Sequence, residues 1–322
     1  MKILSAPSLH DFEPSADRFF DELSLGLSRN PKSIPSKFFY DKTGCELFDQ
    51  ICCLDEYYPT RTEMLILRDN VAEICTLFGP ECRLIELGSG SSAKTRVLLD
   101  HLYEPGAYVP IDIARDHLLQ STARLARIYP ELRITPICAD FTGALTLPKP
   151  SYAMQRTVAF FPGSTIGNLE PTEAEKFLSR IASLCGVGGG LLIGVDLKKD
   201  RLTLERAYND ARGITASFNL NLLTRINRSF NAEIRSDQFQ HYAFYSKEFG
   251  RIEMHLVSLV DQTVQLNGTP FVFEQGEHIV TEYSYKYTVR EFAKLAARSG
   301  WTVKRFWTDP ARLFSVQYLT VR

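Results

Sequence analysis

Residues 83–95, Arg-Leu-Ile-Glu-Leu-Gly-Ser-Gly-Ser-Ser-Ala-Lys-Thr, leave a chain few folds to choose from. The apolar pair Leu84-Ile85 leads through Glu86 and Leu87 into Gly88-Ser89-Gly90, and a helical pattern begins at Lys94 with Thr95, Val97, Leu98 and Leu99. Strand, glycine turn and helix, in that order, open a nucleotide-binding α/β fold. Glycine lets the backbone pass close to a ligand where a Cβ would collide, and the start of the helix offers N–H groups to polar ligand atoms. The pattern then repeats. Strands are predicted near 83–87, 108–112, 133–139, 156–161 and 190–196, with helices between them, among them 116–128 and 172–184. Such alternation gives a mainly parallel sheet with right-handed crossovers, and ligands bind beyond the carboxyl ends of its strands.

The ligand is read from the acids. Gly88-Ser-Gly90-Ser-Ser-Ala93 satisfies the loose dinucleotide fingerprint, which allows alanine at its last place. Three strand ends favour S-adenosylmethionine instead. Glu86, two residues before the first glycine, stands where an acid faces the methionine ammonium of that cofactor. Tyr108-Val-Pro-Ile-Asp112 ends in an acid suited to a ribose diol. Ile134-Thr-Pro-Ile-Cys-Ala-Asp140-Phe141 ends in an acid suited to the adenine amino group, with an aromatic ring beside it. Acids at three successive strand ends suit a nucleoside that carries no phosphate. The plainer alternative is a helix-capping Asp at each strand end.

Composition narrows the partners. With 322 residues, 44% hydrophobic and 23% charged, the chain reads as an ordinary soluble globular protein of one large domain or two smaller ones. A net charge of −1 argues against nucleic acid, whose backbone wants a basic face. No apolar segment approaches the roughly 20 residues of a membrane helix. The first ten residues, with one lysine and a very short apolar piece, are a poor signal peptide. The seven cysteines, Cys45, Cys52, Cys53, Cys75, Cys82, Cys138 and Cys185, are odd in number and contain no C-x-x-C pair. The expectation is a reducing, cytoplasmic setting without disulfides, and a monomer. The six histidines show no ligand spacing with one another or with cysteines, so no metal is expected.

Outside the alternating core the chain reads in pieces. Residues 11–29 fit an amphipathic helix, Pro31 to Asp41 an extended connector, and Thr43 to Ile51 a second helix. Thr60 reads as the N-cap of a helix through Glu63, Leu65, Leu67 and Val71. Phe38, Phe39, Tyr40, Phe48, Tyr57 and Tyr58 suit either a small-molecule pocket or a packed cap. Phe161-Pro-Gly163-Ser164-Thr165-Ile-Gly167-Asn168-Leu169 ends the fourth strand, with glycines for close approach and neutral hydrogen-bonding side chains. Asn168 can donate to a carboxylate without placing a second cation near a sulfonium. After Asp196 come a charged stretch to Arg206, a helix over 210–228, and alternating strands over 241–246, 252–262, 269–274 and 279–287. A helix over 290–299 and a hairpin of 302–308 with 313–321 close the sheet as a seven-stranded methyltransferase sheet closes.

Several motifs now resemble one family closely. Pro31-Lys-Ser-Ile-Pro-Ser-Lys-Phe-Phe-Tyr40-Asp41, Glu56-Tyr-Tyr-Pro-Thr-Arg61, Glu86-Leu-Gly-Ser-Gly90, Gly163-Ser-Thr-Ile-Gly-Asn-Leu169, Ala207-Tyr208-Asn-Asp210, Ile252-Glu-Met254 and Thr281-Glu-Tyr-Ser284 resemble the histidine-specific Nα-methyltransferases of ergothioneine biosynthesis. The resemblance runs over nearly the whole chain. It implies a Rossmann-like, seven-stranded methyltransferase domain at 62–196 and 286–322, and a smaller α+β substrate domain at 10–61 and 197–285. It also implies roles. Asn168 and Tyr208 hold the substrate carboxylate, the Gly163 backbone lies beside the amine, and Glu282 and Ser284 bind one side of the imidazole. Met254 lines that pocket, and Tyr40, Phe48 and Tyr57 surround the substrate. Gly88, Lys94, Asp112, Asp140 and Phe141 match cofactor positions, beside Glu86 and Gly90 of the glycine turn.

The implied reaction is stepwise methylation of the α-amine of L-histidine to the trimethylated betaine, with S-adenosyl-L-homocysteine as the by-product. Tyr40 and Tyr57 are the candidates for helping protons leave. Three alternatives stand beside it: the same reaction on another α-amino acid or a histidine derivative, a non-catalytic binding protein on this fold, and a nicotinamide oxidoreductase.

Overall fold

The computed structural model describes residues 9–12, 16–90, 92–143, 145, 147–148 and 154–322. Most of the segment read for a leader, and Ser91 of the glycine turn, lie outside these residues. The chain divides into two compact units, one comprising 1–13, 59–198 and 286–322, the other 14–58 and 199–285.

The first unit is built on an eight-stranded sheet. Its strands are β1 (His10–Phe12), β3 (Cys82–Leu87), β4 (Ala107–Asp112), β5 (Ile137–Ala139), β6 (Arg156–Phe161), β7 (Gly190–Asp196), β13 (Trp301–Thr308) and β14 (Phe314–Val321). The order is β1-β5-β4-β3-β6-β7-β14-β13. All pairings are parallel except those of β14 with β7 and with β13. β3, β4 and β7 are buried along their whole length. A parallel sheet is covered on both faces, which is why these strands read as unbroken apolar runs. On one face Val158 and Phe160 of β6 join a core with Leu67, Ile74 and Phe78 of α3 (Tyr58–Phe78) and Leu98 of α4 (Ala93–Leu99). On the other, Phe161 packs on Phe177 of α6 (Pro171–Cys185), their ring centroids 4.9 Å apart. Each such ring or leucine removed from water contributes about 1.5–3 kcal/mol.

Four local readings are corrected. The sheet gains an eighth strand because β1 pairs in parallel with β5 at its edge. The helix read over 11–29 accordingly shrinks to α1 (Ala16–Leu27), since the exposed Phe12 belongs to the strand. Thr60 is not a cap: α3 starts at Tyr58, and Pro59 sits in its first turn, where a missing N–H costs nothing. The strand read as 252–262 breaks after Ser258, whose hydroxyl donates to Val260 O in a turn.

The second unit carries β2 (Lys32–Ser33), β8 (Phe239–Ser246), β9 (Arg251–Ser258) and β12 (His278–Tyr285) in the order β2-β12-β9-β8, with a separate hairpin of β10 (Gln262–Leu266) and β11 (Thr269–Phe273). Its helices are α1, α2 (Lys42–Ile51), α7 (Arg201–Arg206) and α8 (Ile214–Phe230). The connector at Pro31 to Asp41 contains β2 and a 3-10 turn, Ser36–Phe39, whose rings dock on helices. Phe38 stacks on Phe19 at 4.0 Å, and Phe39 meets Phe218 at 4.5 Å. Gly44 is required there, since a Cβ would lie 1.7 Å from Phe39 O. The helix read from Asp210 begins at Ile214, because the Asp210 carboxylate accepts the N–H groups of Ile214 and Thr215 at 2.9 and 2.8 Å.

A buried ion pair at the end of β7 gives a direct test of this packing. Lys286 Nζ lies 2.8 Å from Asp196 Oδ2, both side chains 1% exposed. Asp196→Ala leaves the ammonium buried without its partner and is expected to cost about 3–5 kcal/mol in denaturant unfolding. Adding Lys286→Met should recover most of that loss. A single variant within about 1 kcal/mol of wild type contradicts the pairing.

Candidate functional site

At the carboxyl ends of β3, β4 and β5 the acids are held before any ligand arrives. Glu86 is buried, and its Oε2 accepts the Tyr108 hydroxyl and, at 2.5 Å, Thr95 Oγ1. Burial pushes its carboxyl up to about 7, against these bonds and the nearby Lys94 charge. Asp112 accepts Gly90 N–H on Oδ2 at 3.0 Å and Ala114 N–H on Oδ1 at 2.9 Å. Burial raises its carboxyl too, against those two N–H bonds. Asp140 Oδ1 accepts the N–H and hydroxyl of Thr142, fixing the turn that carries Phe141. A Cβ on Gly88 would stand 3.6 Å from the Phe141 ring, so the glycine turn and that ring border one space.

This geometry separates the two nucleotide readings. Gly88 and Ser89 donate their N–H groups to Ile111 O, and Gly90 donates to Asp112. A pyrophosphate needs those donors, and it would meet the Asp112 carboxylate. Gly88, Ser89 and Gly90 therefore do not offer the free N–H groups that the glycines suggest in sequence. A phosphate-free nucleoside fits. Each Asp112 oxygen keeps a second lone pair for a ribose hydroxyl. Gly90, at φ +46°, has no described atom within 4 Å of a Cβ position. Ser89 Oγ is buried without a hydrogen-bond partner among the described residues.

At the end of β6, Gly163 takes φ +78° and donates its N–H to Glu63 Oε2 at 2.8 Å. Lys94 Nζ reaches the same oxygen at 2.5 Å. Ser164, also left-handed at φ +58°, caps no helix with its side chain; its Oγ accepts Asp196 N–H at 2.9 Å. Asn168 ends the short 3-10 turn Thr165–Asn168. Glu63 is absent from the roles read in sequence. Its signal was nonetheless there: an acid at helical spacing from Ile66, Leu67 and Ile74, on the face of α3 that enters the core.

The second unit gathers the other candidates. Asp41 caps α2 by accepting Gly44 N–H at 2.7 Å, and also accepts from Asn221 at 2.9 Å. This places Tyr40 against Phe48, with centroids 5.7 Å apart; Phe48 in turn lies 6.3 Å from Tyr57, and Tyr57 6.3 Å from Tyr208. Glu282 stands directly opposite Met254 in the β12–β9 ladder, just after a bulge, and Ser284 follows on the same face. Tyr208 donates its hydroxyl to Ser284 Oγ at 2.8 Å. Burial, then Tyr208, Cys52, Glu282 and Tyr40, push the Tyr57 phenol well above its ordinary value. Tyr283 and Tyr285 take the opposite face, where Arg251 lies over the Tyr283 ring at 3.5 Å and donates to the Tyr285 hydroxyl.

Comparison with known proteins adds to this. A family model for histidine-specific, SAM-dependent methyltransferases matches residues 19–321. A Mycolicibacterium smegmatis protein named histidine N-alpha-methyltransferase is 40% identical over 315 residues, covering 96% of this chain and 97% of its own. A Mycobacterium tuberculosis protein of the same name is 41% identical over 300 residues, covering 90% and 91%. A Neurospora crassa protein named ergothioneine biosynthesis protein 1 is 29% identical over 286 residues, covering 86% of this chain and 32% of its own.

Glu86 makes a pH-dependent prediction. Its carboxyl is raised from 4.5 to about 7 in the fold, so the folded protein keeps a proton that the unfolded chain has lost. Stability therefore falls as pH rises between those values. Glu86→Gln lacks the effect. Its unfolding free energy relative to wild type should climb by roughly 1–3 kcal/mol across that window and level off above it. A difference independent of pH contradicts the burial argument.

Proposed function

The chain belongs to the histidine-specific, SAM-dependent methyltransferases, and from that premise we propose that it methylates the α-amine of L-histidine stepwise to the trimethylated betaine, a step of ergothioneine biosynthesis. The observation that carries the substrate is the β12 pair: Glu282 opposite Met254, with Ser284 on the same face and bonded to Tyr208. An imidazole presents N–H groups on a flat apolar ring. An acid and a hydroxyl read the nitrogens, and methionine packs on the ring. Resemblance to the family assigns Asn168 and Tyr208 to the substrate carboxylate and the Gly163 backbone to the amine.

S-adenosylmethionine, when bound, supplies an electrophilic methyl on a sulfonium. Gly88, Gly90, Asp112, Asp140 and Phe141 make room for its nucleoside and bind it, and Lys94 serves its amino-acid end. The residues around the amine have a modest proton task. A peptide α-amine has a pKa of about 8 and that of a free amino acid, beside its own carboxylate, lies higher, so a minor neutral fraction exists near pH 7 without a strong base. Tyr57, whose phenol is raised above its ordinary value, stays neutral there. Tyr57 and Tyr40 orient the amine, and Tyr57, kept neutral, relays a proton to water by accepting it on the hydroxyl oxygen as its own O–H proton leaves. Their faces, with Phe48, favour the cation that grows with each methyl. No described helix is long and apolar enough to cross a membrane. A cytoplasmic monomer completes the reading, in keeping with an odd number of free cysteines.

The test is substrate discrimination. Glu282→Ala leaves the imidazole side unread, and a site built to hydrogen-bond a polar group discriminates through that bond. The ratio of kcat/KM for histidine over tryptophan should fall by on the order of tenfold or more. Unchanged discrimination in a folded variant removes Glu282 from the substrate site.

A further inference from the structure

Glu63 occupies a place that hydrophobic packing alone would give to a leucine. It lies on the core face of α3 and is fully buried. Its Oε2 accepts Lys94 Nζ at 2.5 Å and Gly163 N–H at 2.8 Å; Oε1 lies 3.1 Å from the same N–H. β7 makes the room, since a Cβ on Gly194 would stand 2.0 Å from Oε1. One carboxylate thus fixes a lysine from the helix after the glycine turn and the backbone donor that ends β6.

The charge matters as much as the geometry. Lys94 is 17% exposed, so the ammonium is part buried, and Glu63 accounts for one of its three N–H donors. A lone buried cation in this cradle would oppose a sulfonium. Paired with Glu63, the lysine can still donate to a ligand carboxylate while the pair adds no net charge. We propose that Glu63 is a positioning residue that aims Lys94 and Gly163 and neutralises the lysine, so that the cradle accepts a sulfonium ligand as readily as its neutral thioether product. This rests on the reading of Lys94 as a cofactor residue.

Calorimetric binding of S-adenosylmethionine and S-adenosylhomocysteine separates the two claims. Glu63→Gln keeps shape and an acceptor for Gly163 but removes the charge. Its affinity for the sulfonium ligand should fall on the order of tenfold, as expected for one uncompensated charge several ångströms away, and its affinity for the thioether much less. Lys94→Met leaves the carboxylate unpaired and should move the ratio of the two affinities the other way, so the inference stays testable if Glu63→Gln folds poorly. The double variant should restore the wild-type ratio. Equal losses for both ligands in each single variant, or none, overturn the charge-balancing role. If Lys94→Met binds both ligands as wild type does, the cofactor reading of Lys94 falls, and this inference with it.

Discussion

A buried carboxylate must be fully hydrogen-bonded, and three of them, Glu63, Glu86 and Asp112, set the carboxyl edge of the parallel sheet. Glu86 ties the end of β3 to Tyr108 in β4 and Thr95 in α4. Asp112 ties the end of β4 back to the glycine turn through Gly90. Glu63 ties α3 to Lys94 and to the end of β6. The turn is therefore fixed by side chains from its neighbours, and the N–H groups of Gly88, Ser89 and Gly90 are engaged. That bonding, with the Asp112 carboxylate beside it, disfavours a phosphate at Gly88–Gly90.

The second unit works on different physics. Its sheet is antiparallel apart from the short parallel pairing of β2 with β12, and the candidate residues Glu282 and Ser284 stand on alternate positions of one strand, so register decides their face. The bulge between Val280 and Glu282 brings Glu282 opposite Met254. On the opposite face of the sheet, Glu253 and Arg251 of β9 pair with Tyr283 and Tyr285 of β12. A slip of one residue would exchange an acid–hydroxyl pair for two tyrosines. Aromatic contacts among Tyr40, Phe48, Tyr57 and Tyr208 frame this strand from the helical side of the same unit.

Much of this was legible in the sequence, for reasons that can be named. Parallel strands buried on both faces are continuous apolar runs, so β3, β4, β6 and β7 came within a residue of their positions. Short or interrupted elements were not legible. β1 has three residues and exposes Phe12, and the break after Ser258 depends on a hydroxyl-to-backbone bond that apolar alternation does not record. Cofactor candidates were readable as strand-end acids, but their bonding was not, since Gly90 and Asp112 are 22 residues apart. Glu63 was visible only as an acid out of place on an apolar helical face. Its partners, 31 and 100 residues away, give it meaning, and spacing along one sequence cannot supply them.

All of these contacts serve one reaction, methylation of histidine on its α-nitrogen. Mass spectrometry of L-histidine incubated with the purified protein and S-adenosylmethionine tests it most directly, with tryptophan, tyrosine and partly methylated histidines in parallel. Successive gain of three methyl groups on histidine is expected, all on the α-nitrogen in the fragment ions, with little on the other amino acids. Methyl transfer to another amino acid in preference to histidine, or to the imidazole ring, contradicts it.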